Sequence, residues 1–263
     1  MNTWKDYVSL RIKGEENGVP WFLHDKLKCY EFCSKHNIPT VKVYDVFDNP
    51  EDITFKNADC MEFVLKPTLE SSTKGVMVLR REDNGFYDSM KRKIFSFKEI
   101  VEYQNELFKN NKNKSNKIIL EAKVKDRLPI NIPRDYKAYG FKGEIALILN
   151  IDRNTKPGTS VWYDKNFDFL SEADIKNNPK YVSSRENPVK PENWEEMLFF
   201  FKRVSSLVPT PFASIDAYDT SDGFVLGEIT LAPGGLYHGL HYQMSDSLNE
   251  HMGELWTKAI NCS

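Results

Sequence analysis

Cysteine is scarce here, four in 263 residues, and its placement excludes the chemistry it usually brings. Cys29 and Cys33 lie one helical turn apart in a segment with helical patterning, which suggests packing rather than a bridge. The paired short spacings of a four-cysteine zinc site are absent. Long apolar runs are also missing: the nearest, MLFFF at 197–201, suits a core and falls far below membrane-spanning length. Net charge is only −2, so no global basic field points to nucleic acid or an anionic membrane. Nor is there a basic-aromatic stripe of the kind nucleic acid requires. The opening MNTWKDYVSLRIKGEE has no apolar signal core and no small-residue cleavage site. No internal repeat is present. Together these absences predict a reduced, cytoplasmic protein without membrane insertion or a nucleic-acid partner. Its composition, 40% hydrophobic and 28% charged, is that of an ordinary globular enzyme.

What is present centres on residues 216–235, DAYDTSDGFVLGEITLAPGG. FASIDAY (212–218) and FVLGEITL (224–231) read as strands, joined through an Asp-Gly turn. Asp216 and Glu228 then sit on paired strands within apolar sequence, where a lone carboxylate is costly to bury. Two acids facing one spot suit a hard cation such as Mg2+. Strand-end carboxylates in solvent or in ion pairs account for them equally well.

In chain order, residues 1–20 read as an arm or small cap. A helix opens near Asp25 and ends by Pro39, followed by a strand at 40–46. MEFVLKP (61–67) is a strand ending in Lys66; a loop of small and hydroxyl residues (Ser71, Ser72, Thr73, Lys74, Gly75) precedes a strand at GVMVLRR. Such a loop can fold over phosphates with amides and hydroxyls as donors, or be a plain polar hairpin. SFKEIVEYQNELFK (96–109) is a helix with a Ser96/Glu99 capping box. NNKNKSNK (110–117) is a solvated linker, and IILEAKV (118–124) a strand crossing into the second half. DYKAYGF and EIALILNI form a long hairpin that delivers Asp152 and Arg153. Asp135 and Lys137 on it contact nucleotide or substrate, or form a cross-strand ion pair. The polar stretch down to Pro191 is too long for a plain connector and suggests substrate contacts or a lid. A helix over 192–208, a mobile-looking glycine loop PGGLYHGLHYQ carrying His238 and His241, and a closing helix capped by Ser247 and Glu250 complete the chain. The two histidines bind substrate, act as a base, or simply face solvent.

The stretches DKLKCYEFCSKHNIPT, FVLKPTLESSTKGV, IPRDYKAYGFKGEIALILNIDR and IDAYDTSDGFVLGEITLAPGG resemble the ATP-grasp superfamily. More narrowly, they resemble the branch typified by teichuronopeptide-biosynthesis proteins, found among polysaccharide gene products. The resemblance implies an α+β ATP-grasp fold of two lobes with mostly antiparallel sheets and the nucleotide in the cleft between them. Residues 1–20 form the arm, 21–117 the N-terminal lobe and 118–263 the C-terminal lobe. It implies that Lys26 and Lys66 meet nucleotide phosphates, that residues 71–75 cover them, and that Glu121, Ala122, Lys123 and Val124 lie on the hinge strand beside adenine. Asp216, Glu228 and Thr230 would hold Mg2+, and Arg153 would stabilise charge on the transferred phosphoryl group; His238, read from its place just after the acidic strand, would bind substrate or act as a base. Thr230 stands where the superfamily commonly has an amide side chain, and the 71–75 loop has hydroxyls where glycines are usual. The implied activity is ATP-dependent joining of a small-molecule or glycan carboxylate to an amine through an acylphosphate. A kinase on the same scaffold, or a non-catalytic nucleotide- or glycan-binding protein, are the alternatives.

Overall fold

In the computed structural model, which describes residues 2–70, 73–110, 115–185, 188 and 190–262, the first twenty residues are not a loose arm. Thr3 and Asp6 cap one another at the start of helix α1 (Trp4–Ile12), satisfying amides a helix start leaves unpaired. Trp4 and Val8 enter the core around Phe212 and Trp256. Arg11 is fully buried. Its guanidinium grips Glu16 at 2.7 Å, the Phe212 and Leu231 carbonyls and the Thr210 hydroxyl, with the Trp256 ring 4.4 Å away. Because an arginine fills one position of the buried stripe, apolar periodicity does not reveal this helix.

Asp25 caps α2 (Lys26–Lys35), accepting from the Leu27 and Lys28 amides. Cys29 and Cys33 are buried on it as free thiols. The first sheet then assembles from β1 (Val43–Phe47), β2 (Glu62–Pro67), β3 (Met77–Glu82), β4 (Gly85–Asp88), β5 (Lys93–Phe95) and, after helix α3 (Phe97–Asn110), β6 (Ile118–Ala122). Its order is β1-β6-β2-β3-β4-β5, antiparallel throughout. β4 and β5 are too short to show alternation in the sequence. The expected capping box of α3 forms between Ser96 and Glu99. β6 does not open the second half of the fold as expected. It lies between β1 and β2, and its Ile118, Ile119 and Leu120 are fully buried, as suits a strand covered on both faces.

The second sheet is built from β7 (Asp135–Phe141), β8 (Glu144–Asp152), β9 (Thr159–Asp164), β11 (Ser183–Ser184), β12 (Ala213–Thr220) and β13 (Gly223–Thr230), in the order β11-β9-β8-β7-β12-β13. Only β11 runs parallel to its neighbour. Positive φ at Lys142 and Gly143 makes the tight β7–β8 turn. Helix α4 (Trp194–Leu207) and α2 pack on one face of the sheet; α1 and α6 (Asp246–Asn261) pack on the other. The polar stretch before Pro191 thus supplies β9 and β11, and also β10 (Ile175–Asn177), which pairs with β14 (Tyr242–Met244). That pairing and the short helix α5 (Gly234–Tyr237) give defined structure to the glycine segment expected to be mobile. The cap of α6 is Ser245, accepting from the Leu248 amide, rather than the Ser247/Glu250 pair: Ser247 already lies inside the first turn. No helix among the described residues is long and apolar enough to cross a membrane.

Candidate active site

The acidic hairpin forms on paired strands as expected, with Asp216 directly opposite Glu228. What aligns the two acids is a bulge. Asp216 pairs with Glu228 but Ala217 pairs with Leu226, so Gly227 is an extra residue on β13. Leu226 and Ile229 therefore both enter the core beneath the sheet, and Glu228 is turned to the face that Asp216 occupies. Strict alternation would have placed Glu228 on the side of Leu226. A Cβ at position 227 would lie 2.8 Å from the Tyr218 ring. Gly227→Ala is thus expected to displace Tyr218 or the bulge, costing ~1–3 kcal/mol of stability and about tenfold or more in nucleotide affinity. Thermal melts and calorimetry measure both; an unchanged affinity would show that the bulge does not set the site.

β7 lies on the other side of β12 and brings Lys137 opposite Asp216, with which it forms an ion pair. Asp135, two residues earlier on the same face, takes Arg153 at 3.2 Å. Burial, together with Asp135 and Glu228, raises the Asp216 carboxyl to about 7 although Lys137 pulls the other way. Burial would push Lys137 down, yet the surrounding Asp216, Asp135 and Glu228 carboxylates outweigh it and hold the ammonium charged. Burial first, and Asp135 next, push the Tyr218 phenol up, while Lys66 and Arg153 pull it back, so this hydroxyl sits among all three groups.

The first sheet supplies the facing cations. Lys66 ends β2 and meets Glu121 of β6 at 2.6 Å; Tyr30 of α2 bridges them, accepting from the lysine and donating to the carboxylate, both at 2.9 Å. Burial disfavours the Lys66 ammonium, but Glu121 outweighs it and, with Tyr218 and Glu228 across the cleft, raises it. Lys26 donates to the Glu70 carbonyl at 2.7 Å. Burial lowers it and Lys66 repels it, against an attraction from Glu228. Lys66 of β2 and Lys26 of α2 thus lie within electrostatic reach of Glu228 on β13.

The remaining expected residues fall as follows. Ser71 and Ser72 lie outside the described residues. Thr73 and Gly75 both have positive φ, Lys74 reaches back to Glu70 at 3.2 Å, and the Gly75 carbonyl is held by Gln104 of α3. Ala122 ends β6; Lys123 pairs with Glu62 at 2.6 Å, and half-buried Val124 follows. Thr230 pairs with Ser214 at the end of β13. His238 packs its ring on Tyr237, 4.9 Å away, and the described residues give it no bond to the acid cluster. Tyr30 and Tyr218 are added to the site by the structure, each at the repeat distance from an expected site residue: four along the helix from Lys26, two along the strand from Asp216. So is His24. Its Nε2 accepts from the Leu231 amide at 3.3 Å, just beyond Thr230, and burial keeps the ring neutral against the pull of Glu228.

A divalent cation fits this arrangement. Asp216 Oδ1 and Asp135 Oδ1 are buried with no partner, and Glu228 has none among the described residues. The donors are all oxygens, the preference of a hard ion. No three His, Cys, Asp or Glu side chains among the described residues gather closely enough to hold a metal unaided. A cation here would share its ligands with a phosphate.

Comparison with solved structures returns the same architecture. The D-alanine–D-alanine ligase of Bacillus anthracis superposes with a TM-score of 0.52 at 14% identity, over 91% of this chain and 66% of that one. The VanG D-Ala:D-Ser ligase of Enterococcus faecalis gives 0.52 at 12%, over 91% and 61%. The ATP-grasp ligase PsnB, bound to precursor peptide PsnA2 and AMPPNP, gives 0.47 at 10%, over 89% and 58%. The chain therefore spans 58–66% of the length of these structures, and at 12–14% identity the likeness to the two D-alanine ligases is one of fold. No curated protein matches the sequence. A family model does, the one described as TupA-like ATPgrasp, over residues 7–257. The chain belongs to the TupA-like ATP-grasp family.

Proposed function

We propose that this chain is an ATP- and Mg2+-dependent ligase joining a carboxylate to an amine. The observation that carries the reading is the electrostatic proximity of Lys66 of the first sheet and Lys26 of α2 to Glu228, which stands opposite Asp216 on the second sheet. Lys26 and Lys66 are point charges for phosphate oxygens, residues 73–75 belong to the cover over them, and the backbone of 121–124 borders the base. Asp216 and Glu228, with Thr230 beside them, would hold Mg2+, which when bound neutralises charge on the phosphates. Arg153 and Lys137 face the place where the γ-phosphoryl group develops negative charge during transfer.

In the proposed reaction a carboxylate oxygen of the acceptor attacks the γ-phosphorus. The bond to the β–γ bridging oxygen breaks, and ADP leaves with that electron pair. The amine nitrogen then attacks the acyl carbon, phosphate departs, and the amine proton leaves with it. The acylphosphate survives only where water is excluded, a task we assign to residues 73–75 and to the segment around α5 that carries His238. The acceptor is a small-molecule or glycan carboxylate, the setting polysaccharide biosynthesis in the cytoplasm, where four free thiols persist.

Calorimetry with a non-hydrolysable ATP analogue, with and without Mg2+, tests this reading in the wild type and in Asp216→Asn/Glu228→Gln. Tight binding that needs Mg2+ and is lost in the double variant is expected. ADP release over a panel of acids and amines then identifies the acceptor. Wild type that binds no analogue under any of these conditions would sink the proposal.

A further inference from the structure

The second sheet ends at the tight turn between β7 and β8, and two helices run past that end, α4 on one face and α6 on the other. Two bonds fasten the turn to α4 and its cap: the Gly143 amide donates to the Ser205 hydroxyl at 3.1 Å, and the Lys142 ammonium to the Val208 carbonyl at 3.2 Å. A cavity of about 590 Å³ remains between the turn, the two helices and residues 165–166, a volume in the range that takes a small molecule. Phe141, Ile145, Leu198 and Leu255 form its floor, each at most 9% exposed, so the floor is held in place by the core behind it.

The rim is basic. Lys142, Lys165, Lys202 and Lys258 line it against a single acid, Glu144. The chain as a whole carries 36 lysines and arginines against 38 acids, so this wall is a local concentration of positive charge. Glu144 does not cancel it: it meets Lys258 at 2.9 Å in an exposed pair, which contributes little in water. Lys165 and Lys202 are exposed and have no ion-pair or hydrogen-bond partner among the described residues. Ammonium groups gathered around one hollow repel each other, and an anion between them relieves that repulsion. The apolar floor favours an anion that also carries an apolar body.

We propose that this cavity is a binding site for a small amphiphilic anion, its phosphate or carboxylate head held by Lys165 and Lys202 and its apolar body laid over Phe141, Ile145 and Leu198. Lys142 lies five residues beyond Lys137, roughly 17 Å at the rise of a strand. A ligand here therefore does not touch the acid cluster, and the proposal stands apart from the reading of the cleft.

Octyl phosphate is the probe, with inorganic phosphate as the head alone and octyltrimethylammonium as the same tail under the opposite charge. Cys262 reports on the site, since it lines the cavity and is the exposed one of the four thiols. Its alkylation by iodoacetamide, a neutral reagent, is followed by peptide mass spectrometry. Saturating octyl phosphate should slow this alkylation about tenfold by shielding the thiol, and leave that of Cys60 unchanged. Lys165→Gln/Lys202→Gln removes two charges from exposed positions without disturbing the core, and should need about tenfold or more octyl phosphate for the same protection. Lys165→Arg/Lys202→Arg, which keeps both charges, should match the wild type. Inorganic phosphate should protect only at concentrations about tenfold higher or more, because it buries no apolar surface. Protection that survives the glutamine pair, or that octyltrimethylammonium gives equally, overturns the anion site. Inorganic phosphate that protects as well as octyl phosphate overturns the amphiphilic class, and protection by neither phosphate overturns the proposal outright.

Discussion

Glu228→Gln will reduce ADP release, basal or acceptor-stimulated, by about 10³-fold, or ~4 kcal/mol of transition-state stabilisation, while the protein melts within about 2 °C of the wild type. The two halves of this expectation have separate physical origins. Stability is spared because the half-buried Glu228 makes no hydrogen bond or ion pair among the described residues. Its carboxylate also repels that of Asp216, opposite it, so an amide of the same shape removes a repulsion as well as some attraction to Lys26 and Lys66. Activity is lost because an amide oxygen carries no net charge, and a hard cation bound beside phosphates needs anionic ligands. A non-catalytic nucleotide-binding protein gives the opposite result, since its binding would survive the substitution. Measured by coupled ADP detection and a thermal melt on the same sample, a fall of less than about tenfold would remove Glu228 from the chemistry.

Much of this site was legible because it lies on strands whose two-residue period the sequence displays. The Asp-Gly turn announced the hairpin and so placed Asp216 and Glu228 on paired strands. The bulge at Gly227 was not legible, since one extra residue shifts later positions without changing composition. Ion pairs across strands were only half legible. A pair at Lys137 was one of two readings, but its partner Asp216 lies 79 positions away, and only the strand order β7-β12 makes them neighbours. The same limit hid β6 inside the first sheet: IILEA announces a buried strand, and nothing local says which neighbours bury it. Arg11 marks the extreme case, a buried charge whose partners beyond the nearby Glu16 include the Phe212 and Leu231 backbone carbonyls, which no sequence pattern encodes.

The pair formed by Lys66 and Glu121 should separate folding from function most sharply. Their side chains are 11% and 5% exposed, so Lys66→Met leaves a carboxylate buried with only the Tyr30 hydroxyl for company. Breaking a buried pair from one side costs ~3–5 kcal/mol. In a chain of this size that lowers the melting temperature by roughly 10–15 °C. Adding Glu121→Gln removes the stranded charge, and the double variant should recover most of the loss, because a neutral buried pair avoids the desolvation that charges incur. Nucleotide affinity should follow a different course. The role proposed for Lys66 is to leave Glu121 for the phosphates, so Lys66→Met and the double variant should both lose about 1–3 kcal/mol of analogue binding, a charge-assisted contact, with no recovery. Denaturant melts and calorimetry on the four forms close the cycle. Recovery of stability without recovery of binding would assign the lysine to the nucleotide and the glutamate to its resting state. Recovery of both would reduce the pair to a structural bridge between β2 and β6, and leave Lys26 of α2 to meet the phosphates without it.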